Sequence, residues 1–265
     1  MGSAKPERGV SALAEAVSSY YEGILPFYEL EAAGRHDLEF WTGLCEREKP
    51  RRVLELGSGL GRVTVVLASH ARWVAGIDIS LPMLSRAHRR NAAERLHLTA
   101  ADMRRLPFGP EFDLIAAPSD PMSHLISAED RRSALSGIAR ALSPQGRFVL
   151  DGLHLRSEAP RVRQRRFPVE RGELSILETW TPLPERDRWE ARFSYRLTTG
   201  DGECEKSASF FARAWDPGDI VPFFRSCGLA VEELWGSFAG DPFNGESPRV
   251  IVVAKRRSES SEVEA

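Results

Sequence analysis

The residues best placed to do chemistry are Glu55-Leu56-Gly57-Ser58-Gly59-Leu60-Gly61, where a short β-rich run gives way to a helical pattern. Glycines at such a turn let backbone approach a ligand and adopt dihedrals closed to other residues. A dinucleotide fingerprint, G-x-G-x-x-G, would place its third glycine at position 62. Position 62 is Arg62, so the spacing is G-x-G-x-G, with Glu55 two residues ahead of it. A carboxylate there sits poorly beside a pyrophosphate. It suits a ligand that carries ammonium and sulfonium groups, which disfavours a nicotinamide cofactor. A second set of reactive side chains follows later strands: Asp120 and His124 in Pro118-Ser119-Asp120-Pro121-Met122-Ser123-His124, then Asp151 and His154. His124 and His154 are candidate general bases. Either can instead cap or pack locally. Asp120 can orient an amine, or form an Asx turn before Pro121, which is the preferred reading. His36, His70, His88 and His97 read as structural or exposed.

Positioning these groups requires alternating strands and helices. Apolar runs at 53–56, 73–77, 96–100, 112–117 and 146–153 are separated by helical patterns, the first over 61–71. Ser80 can cap the helix carrying Met83, and Ser127 with Asp130 is spaced for a capping box. Continuous apolar strands in β-α repeats imply a parallel sheet covered on both faces. Residues 161–213 then alternate at period two, as in Trp189-Glu190-Ala191-Arg192-Phe193-Ser194-Tyr195, predicting three or four antiparallel strands. A helix from Asp216-Pro217 and two strands close the chain. At the other end, Pro26 and Gly34 are expected to break an aromatic-rich helical segment into short helices. The organisation expected is a helical cap over 1–48, a Rossmann-like domain over 49–154 and 215–257, an antiparallel insert over 155–214 and a flexible tail over 258–265.

Composition excludes several classes. The 265 residues are 42% hydrophobic and 28% charged, enough for a core. Lys+Arg 36 against Asp+Glu 38 leaves a net charge of −2, which argues against a bulk polyanion binder. Cys45, Cys204 and Cys227 are widely spaced and form neither a zinc pattern nor a disulfide framework, so a cytoplasmic protein is expected. No signal-peptide pattern and no run of about 18 apolar residues is present, so no membrane association is expected.

Val53-Leu54-Glu55-Leu56-Gly57-Ser58-Gly59-Leu60-Gly61-Arg62-Val63 resembles the first motif of class I S-adenosylmethionine-dependent methyltransferases. Four further matches follow in order. Asp78 resembles the family's ribose-binding acid, and Ile79 the residue packing on adenine. Ala101-Asp102-Met103 is similar to the adenine-edge motif, with the Asp102 carboxylate accepting from the exocyclic amine and the Met103 amide meeting the ring. Phe112-Asp113-Leu114-Ile115-Ala116-Ala117-Pro118 resembles the fourth-strand motif facing the methionine portion. Leu142-Ser143-Pro144-Gln145-Gly146 is similar to the fifth-strand motif, with Gln145 replacing a glycine. The resemblance covers roughly 37–155 well and the last forty residues more loosely. It implies a doubly wound, mostly parallel seven-stranded sheet. It also implies a cofactor site of Glu55, Gly57, Ser58, Gly59, Gly61, Asp78, Ile79, Met83, Asp102, Met103 and Pro118. S-adenosylmethionine is then the cofactor, S-adenosylhomocysteine the product, and no metal is expected.

Methyl transfer is an in-line displacement in which a protein mainly aligns the reactants and excludes water. The first reading is a small-molecule methyltransferase acting on N or O, with His124, His154 or Asp120 as base. The alternatives are an RNA or protein methyltransferase and a non-catalytic S-adenosylmethionine-binding regulator. Ala117-Pro118-Ser119-Asp120 departs from the (D/N)PP(Y/F) motif of enzymes acting on planar amide or base nitrogens. Arg161, Arg163, Arg165 and Arg166 read first as a solvated strand face, and second as a lid for an anionic substrate. Sparse aromatics there disfavour nucleic acid. Tyr20, Tyr21, Tyr28 and Trp41 either line a lid or pack helices. The insert is expected to cover the sheet near Phe148 and to form either a substrate lid or a homodimer contact.

Overall fold

The computed structural model describes residues 8–33, 35–90, 96–155 and 159–257. The expected tail at 258–265 and the expected break at Gly34 lie outside them. Helix α1 spans Arg8–Ala33 and α2 spans Leu38–Glu48. The alternating part runs β1 (Arg52–Leu56), α3 (Arg62–His70), β2 (Trp73–Asp78), α4 (Leu81–Arg90), β3 (Leu96–Ala100), β4 (Phe112–Ala117), α5 (Ala128–Ala141) and β5 (Leu142–Gly152). Four long strands follow: β6 (Arg161–Val169), β7 (Gly172–Pro182), β8 (Arg188–Thr199) and β9 (Gly202–Arg213). Helix α6 (Pro217–Ser226) and strands β10 (Leu229–Trp235) and β11 (Val250–Arg256) complete the chain.

The main sheet has seven strands in the order β10-β11-β5-β4-β1-β2-β3. Strands β5, β4, β1, β2 and β3 pair in parallel, while β11 runs antiparallel to β5 and β10. Leu54, Ile115 and Phe148 face the layer formed by α5 and α6, whereas Val53, Leu114 and Val149 face α2 and α3. That two-sided burial explains the continuous apolar strands. Because β1 neighbours both β2 and β4, the chain changes direction at β1. The connections leaving the carboxyl ends of β1 and β4 therefore run to opposite sides of this switch point, the edge at which ligands bind in sheets of this kind. Ser127 caps α5 as spaced, its Oγ accepting from Asp130 N at 2.9 Å and donating to the Asp130 carboxylate at 2.8 Å.

Three local expectations are corrected. Pro26 does not break α1, which runs through it. A proline inside a helix costs one backbone bond and a steric clash. Ile24 and Phe27 offset that cost by burying themselves against Leu174, Ile176, Ala191 and Tyr195 of the second sheet. Next, α5 ends at Ala141 and β5 begins at Leu142, four residues before the expected run at 146–153. Pairing with β4 absorbs this through a register shift between Phe112 and Leu114. Finally, the four-stranded antiparallel sheet β6-β7-β8-β9 covers α1 rather than Phe148, whose ring stacks on Phe224 of α6 with centroids 6.1 Å apart. Trp41, a candidate lid residue, lies wholly inside the core beneath α2.

Candidate active site

The loop after β1 turns sharply because Gly57, Gly59 and Gly61 adopt φ of 67°, 51° and 77°. Bonds from Ser58 N to Ile77 O and from Gly61 N to Ser58 O, at 2.9 and 2.8 Å, fix the turn. A Cβ on Gly57 would lie 2.4 Å from Pro121 Cβ, so this glycine lets the loops after β1 and β4 touch. A Cβ on Gly59 would meet nothing closer than 4.0 Å. It would project into the adjoining void of about 670 Å³. Asp78, at the end of β2, accepts from Gly59 N and Ser80 N, both at 2.8 Å. Burial raises its pKa despite these bonds, which act to lower it.

Gly57, Gly59, Asp78, Ile79, Met83, Asp102 and Met103 line this void together with Leu13, Val17 and Tyr21 of α1. Four other residues of the expected set do not. Gly61 is the N-cap ahead of α3, Pro118 is buried just after β4, and Ser58 is packed beneath the loop. Pro121 lines the void where Pro118 was expected. Glu55 is only 2% exposed, and its Oε2 has no hydrogen-bond partner. Burial pushes its carboxyl up to about 8. The Asp102 carboxylate does more than face the void. It accepts from Arg104 N at 2.9 Å and Arg104 Nη2 at 2.7 Å, capping the short turn Met103–Arg105. Burial acts to raise this carboxyl, but the Arg104 bonds outweigh it and hold it below the usual range.

A second, wider cavity of about 1540 Å³ opens between α1, the second sheet and the carboxyl ends of β4 and β5. It shares three residues with the first: Tyr21, Tyr28 and His124. They form the neck between the two spaces. His124, on the turn Pro121–His124, bonds the Tyr21 hydroxyl through Nε2 at 3.1 Å, and its ring lies 4.7 Å from that of Phe210 on β9. Burial depresses the imidazole to about 4, so it is neutral at ordinary pH.

The other candidates lie elsewhere. Asp120 lines the wider cavity but does not form the Asx turn. Its carboxylate accepts from Leu153 N at 2.7 Å and Trp215 Nε1 at 3.4 Å, tying β5 to the segment before α6. Burial pushes this carboxyl up to about 6. His154 turns away and bonds Ser247 O through Nδ1 at 2.9 Å. Asp151 pairs with Arg249 at 2.5 Å. Of the arginine run, Arg163 and Arg165 line the wider cavity, while Arg166 faces solvent. Tyr21 and Tyr28, read from the sequence as lining a lid or packing helices, line both cavities, whereas nothing in the sequence pattern singles out Phe210.

The first void suits S-adenosylmethionine. It offers backbone without Cβ atoms at Gly57 and Gly59, an acid at Asp78 with spare lone pairs, and an unpartnered buried carboxylate oxygen behind the loop at Glu55. Separately, Asp187, Asp216 and Asp219 come together in a different cleft, where Asp216 is paired with Arg186. Among the described residues no helix is long and apolar enough to cross a membrane.

Comparison with known proteins agrees with this architecture. The profile of a methyltransferase domain matches residues 53–146. The chain is 28% identical over 242 residues to the putative methyltransferase YqeM of Bacillus subtilis, covering 89% of this chain and 97% of that protein. It is 26% identical over 210 residues to the cypemycin N-terminal methyltransferase of a Streptomyces species, covering 78% and 84%. Among solved structures, S-adenosylmethionine-bound CalS10, an amino pentose methyltransferase from Micromonospora echinaspora, superposes with a TM-score of 0.73. It shares 18% identity over 97% of this chain and 100% of that one.

Proposed function

We propose that this chain, a class I S-adenosylmethionine-dependent methyltransferase, methylates an amine nitrogen of a small molecule presented at the Tyr21–His124 neck. The observation that carries the reading is the sharing of Tyr21, Tyr28 and His124 between two cavities, one bordered by the glycine loop and Asp78 and the other by the second sheet. Two of the similar proteins described above are named as an N-terminal methyltransferase and an amino pentose methyltransferase, names compatible with a nitrogen acceptor. We place the reaction in the cytoplasm, in keeping with the three free cysteines.

Bound S-adenosylmethionine supplies a methyl group activated by the adjacent sulfonium. The chain's residues do the remaining work. Gly57 and Gly59 would allow backbone contact, Asp78 would offer its remaining lone pairs to a diol, and Glu55, buried behind the loop, would balance an ammonium once ionised. Leu13 and Val17 of α1 keep water from the slot. At the neck, a protonated amine is a poor nucleophile. Desolvation by Tyr21, Tyr28 and Phe210 disfavours the ammonium form, and a neutral imidazole offers it no counter-charge. The free base is therefore the species selected there. The Tyr21–His124 pair accepts from an amine N–H and turns the lone pair toward the methyl group. Holding that geometry is where the protein contributes most to such a displacement.

The test is S-adenosylhomocysteine formation with matched acceptors, amino sugars and free-N-terminal peptides against their hydroxyl counterparts, with products located by mass spectrometry. Amine-dependent turnover with methylated nitrogen is expected. Turnover confined to hydroxyl acceptors would overturn the reading.

A further inference from the structure

The wider cavity contains many charges, and nearly all are already matched. Glu31 pairs with Arg165 at 2.8 Å, and Glu178 with the same arginine at 3.3 Å. Glu178 also accepts from Trp180 Nε1 at 2.6 Å. Asp151 is held by Arg249, and Asp37 by Arg62 at 2.6 Å. Arg35 lies over the Tyr28 ring at 5.2 Å and donates to Ser119 Oγ at 3.0 Å. The exception is Arg163. It lines the cavity, is exposed, and has no hydrogen-bond or ion-pair partner among the described residues. It stands on the same face of β6 as Arg165, opposite Glu178 in the register. Glu178 is occupied by Arg165 and Trp180, so Arg163 remains available.

We propose that the acceptor carries an anionic group, a phosphate or a carboxylate, held by Arg163 at the mouth of the wider cavity while its nucleophile lies at the neck. This rests on the neck being where the acceptor reacts. Sheet geometry sets the length of the molecule. The neck is marked by Phe210 on β9, and Arg163 is on β6, three strands away. At about 4.8 Å per strand this is roughly 14 Å between backbones. An extended arginine side chain covers roughly half of that. An α-amino acid, whose amine and carboxylate are one carbon apart, cannot span the remainder. A longer acceptor can, beside the parallel rings of Phe193 and Phe210 and the Trp180 indole that stands edge-on to them. A guanidinium favours such an end group because its fork matches carboxylate and phosphate oxygens.

The probes are 6-aminohexyl phosphate, 6-aminohexanoate, glycine and hexylamine, titrated calorimetrically into the full chain saturated with S-adenosylhomocysteine. The two long anionic probes are expected to bind at least tenfold more tightly than hexylamine or glycine. The ratio between them tells phosphate from carboxylate. Arg163→Gln is expected to reduce their affinity to that of hexylamine. Arg166→Gln removes the same charge from the outer face of the same strand, and is expected to leave affinity unchanged. Equal losses in both variants, equal binding of hexylamine, or no binding of either anionic probe to folded protein would each overturn the proposal. Turnover separates it from the reading beneath it. Arg163-dependent binding with no methylation of any amine would retain the anion site and sink the amine acceptor. Methylation of hexylamine at a rate indifferent to Arg163 would do the reverse.

Discussion

The glycine loop below the 670 Å³ void and the aromatic neck above it face each other, yet they are held by different kinds of interaction. The loop is fixed by its own backbone: three left-handed glycines, two short backbone bonds, and one carboxylate from the neighbouring strand end. The neck is assembled from side chains far apart in sequence. The Tyr21–His124 bond joins residues 103 positions apart, and Phe210 comes from a separate sheet. A backbone-built site tolerates changes in surrounding side chains but no Cβ at its glycines. A side-chain-built site depends on the packing of α1 between two sheets. The two halves should therefore fail separately.

The largest separation should come from Gly59→Val. At φ 51° a β-branched residue is strained, and its side chain would enter the void. S-adenosylmethionine binding is expected to fall by more than about a thousandfold, since both the strain and the lost volume oppose it. The circular dichroism spectrum should keep its α/β form. Retained binding would show that the loop does not border the cofactor. Asp78→Ala comes next. Loss of hydrogen bonds to a charged group should weaken S-adenosylmethionine by about 1.5–3 kcal/mol, a tenfold to roughly 150-fold loss. Because Asp78 also anchors Gly59 N and Ser80 N, a thermal melt must accompany the titration. A folded variant with unchanged affinity would remove Asp78 from the site.

On the other side of the void, His124→Ala should leave S-adenosylmethionine affinity within about twofold while kcat falls by roughly 10–100-fold, a positioning loss rather than a lost base. Tyr21→Phe should fall in the same direction by less. The pH profile discriminates further. His124 stays neutral down to about 4, so at saturating S-adenosylmethionine any inflection of kcat/KM near 6 should persist unchanged in His124→Ala, the imidazole adding none of its own. Stability gives the opposite check. A histidine depressed in the folded state binds fewer protons than when unfolded between about 4 and 6.5, so the fold should lose stability as pH falls through that window. His124→Ala should remove this part of the acid sensitivity.

The same contrast explains what the sequence alone could show. Strand-end acids and glycine spacing are local. Motif order therefore placed Gly57, Gly59, Asp78, Ile79, Met83, Asp102 and Met103 in neighbouring loops, and these residues do line one void. Pro118 was misplaced by three positions because Ser119 and Asp120 take left-handed φ of 58° and 48°, turning Pro121 inward instead. No periodicity reports such a turn in residues other than glycine. Pro26 misled for a different reason: a helix survives a proline when tertiary burial exceeds the local cost, and that burial comes from strands 150 residues downstream. Asp120 and His154 were plausible bases by type, yet both are absorbed by long-range bonds, to Leu153, Trp215 and Ser247. Tyr21 and Phe210 acquire their place only from the docking of α1 between the sheets.

The smallest predicted effect tests whether Glu55 belongs to the backbone-built half or merely lies beneath it. Its carboxyl is buried, one oxygen lacks a partner, and its pKa is raised to about 8. In the free protein the acid is therefore mostly protonated at pH 7. If it balances the ammonium of S-adenosylmethionine, binding requires the ionised form and releases a proton. Affinity should then rise with pH up to about 8 and flatten above it. From pH 7 to 8 the ionised fraction of such a group grows about fivefold, so a fivefold gain in affinity is expected, less whatever is lost as the ligand's own ammonium titrates. The ligand's contribution is common to wild type and Glu55→Gln, so the difference between their slopes isolates the carboxyl. Calorimetry in two buffers of different ionisation enthalpy should also show proton release by wild type at pH 7 and less by the variant. Glu55→Gln should bind more weakly at pH 8 and above, where wild type has its anion, and the two should converge near pH 6. Parallel pH curves would show that Glu55 makes no contact with the ligand's charge, and that the acid ahead of the glycines serves the loop's packing alone.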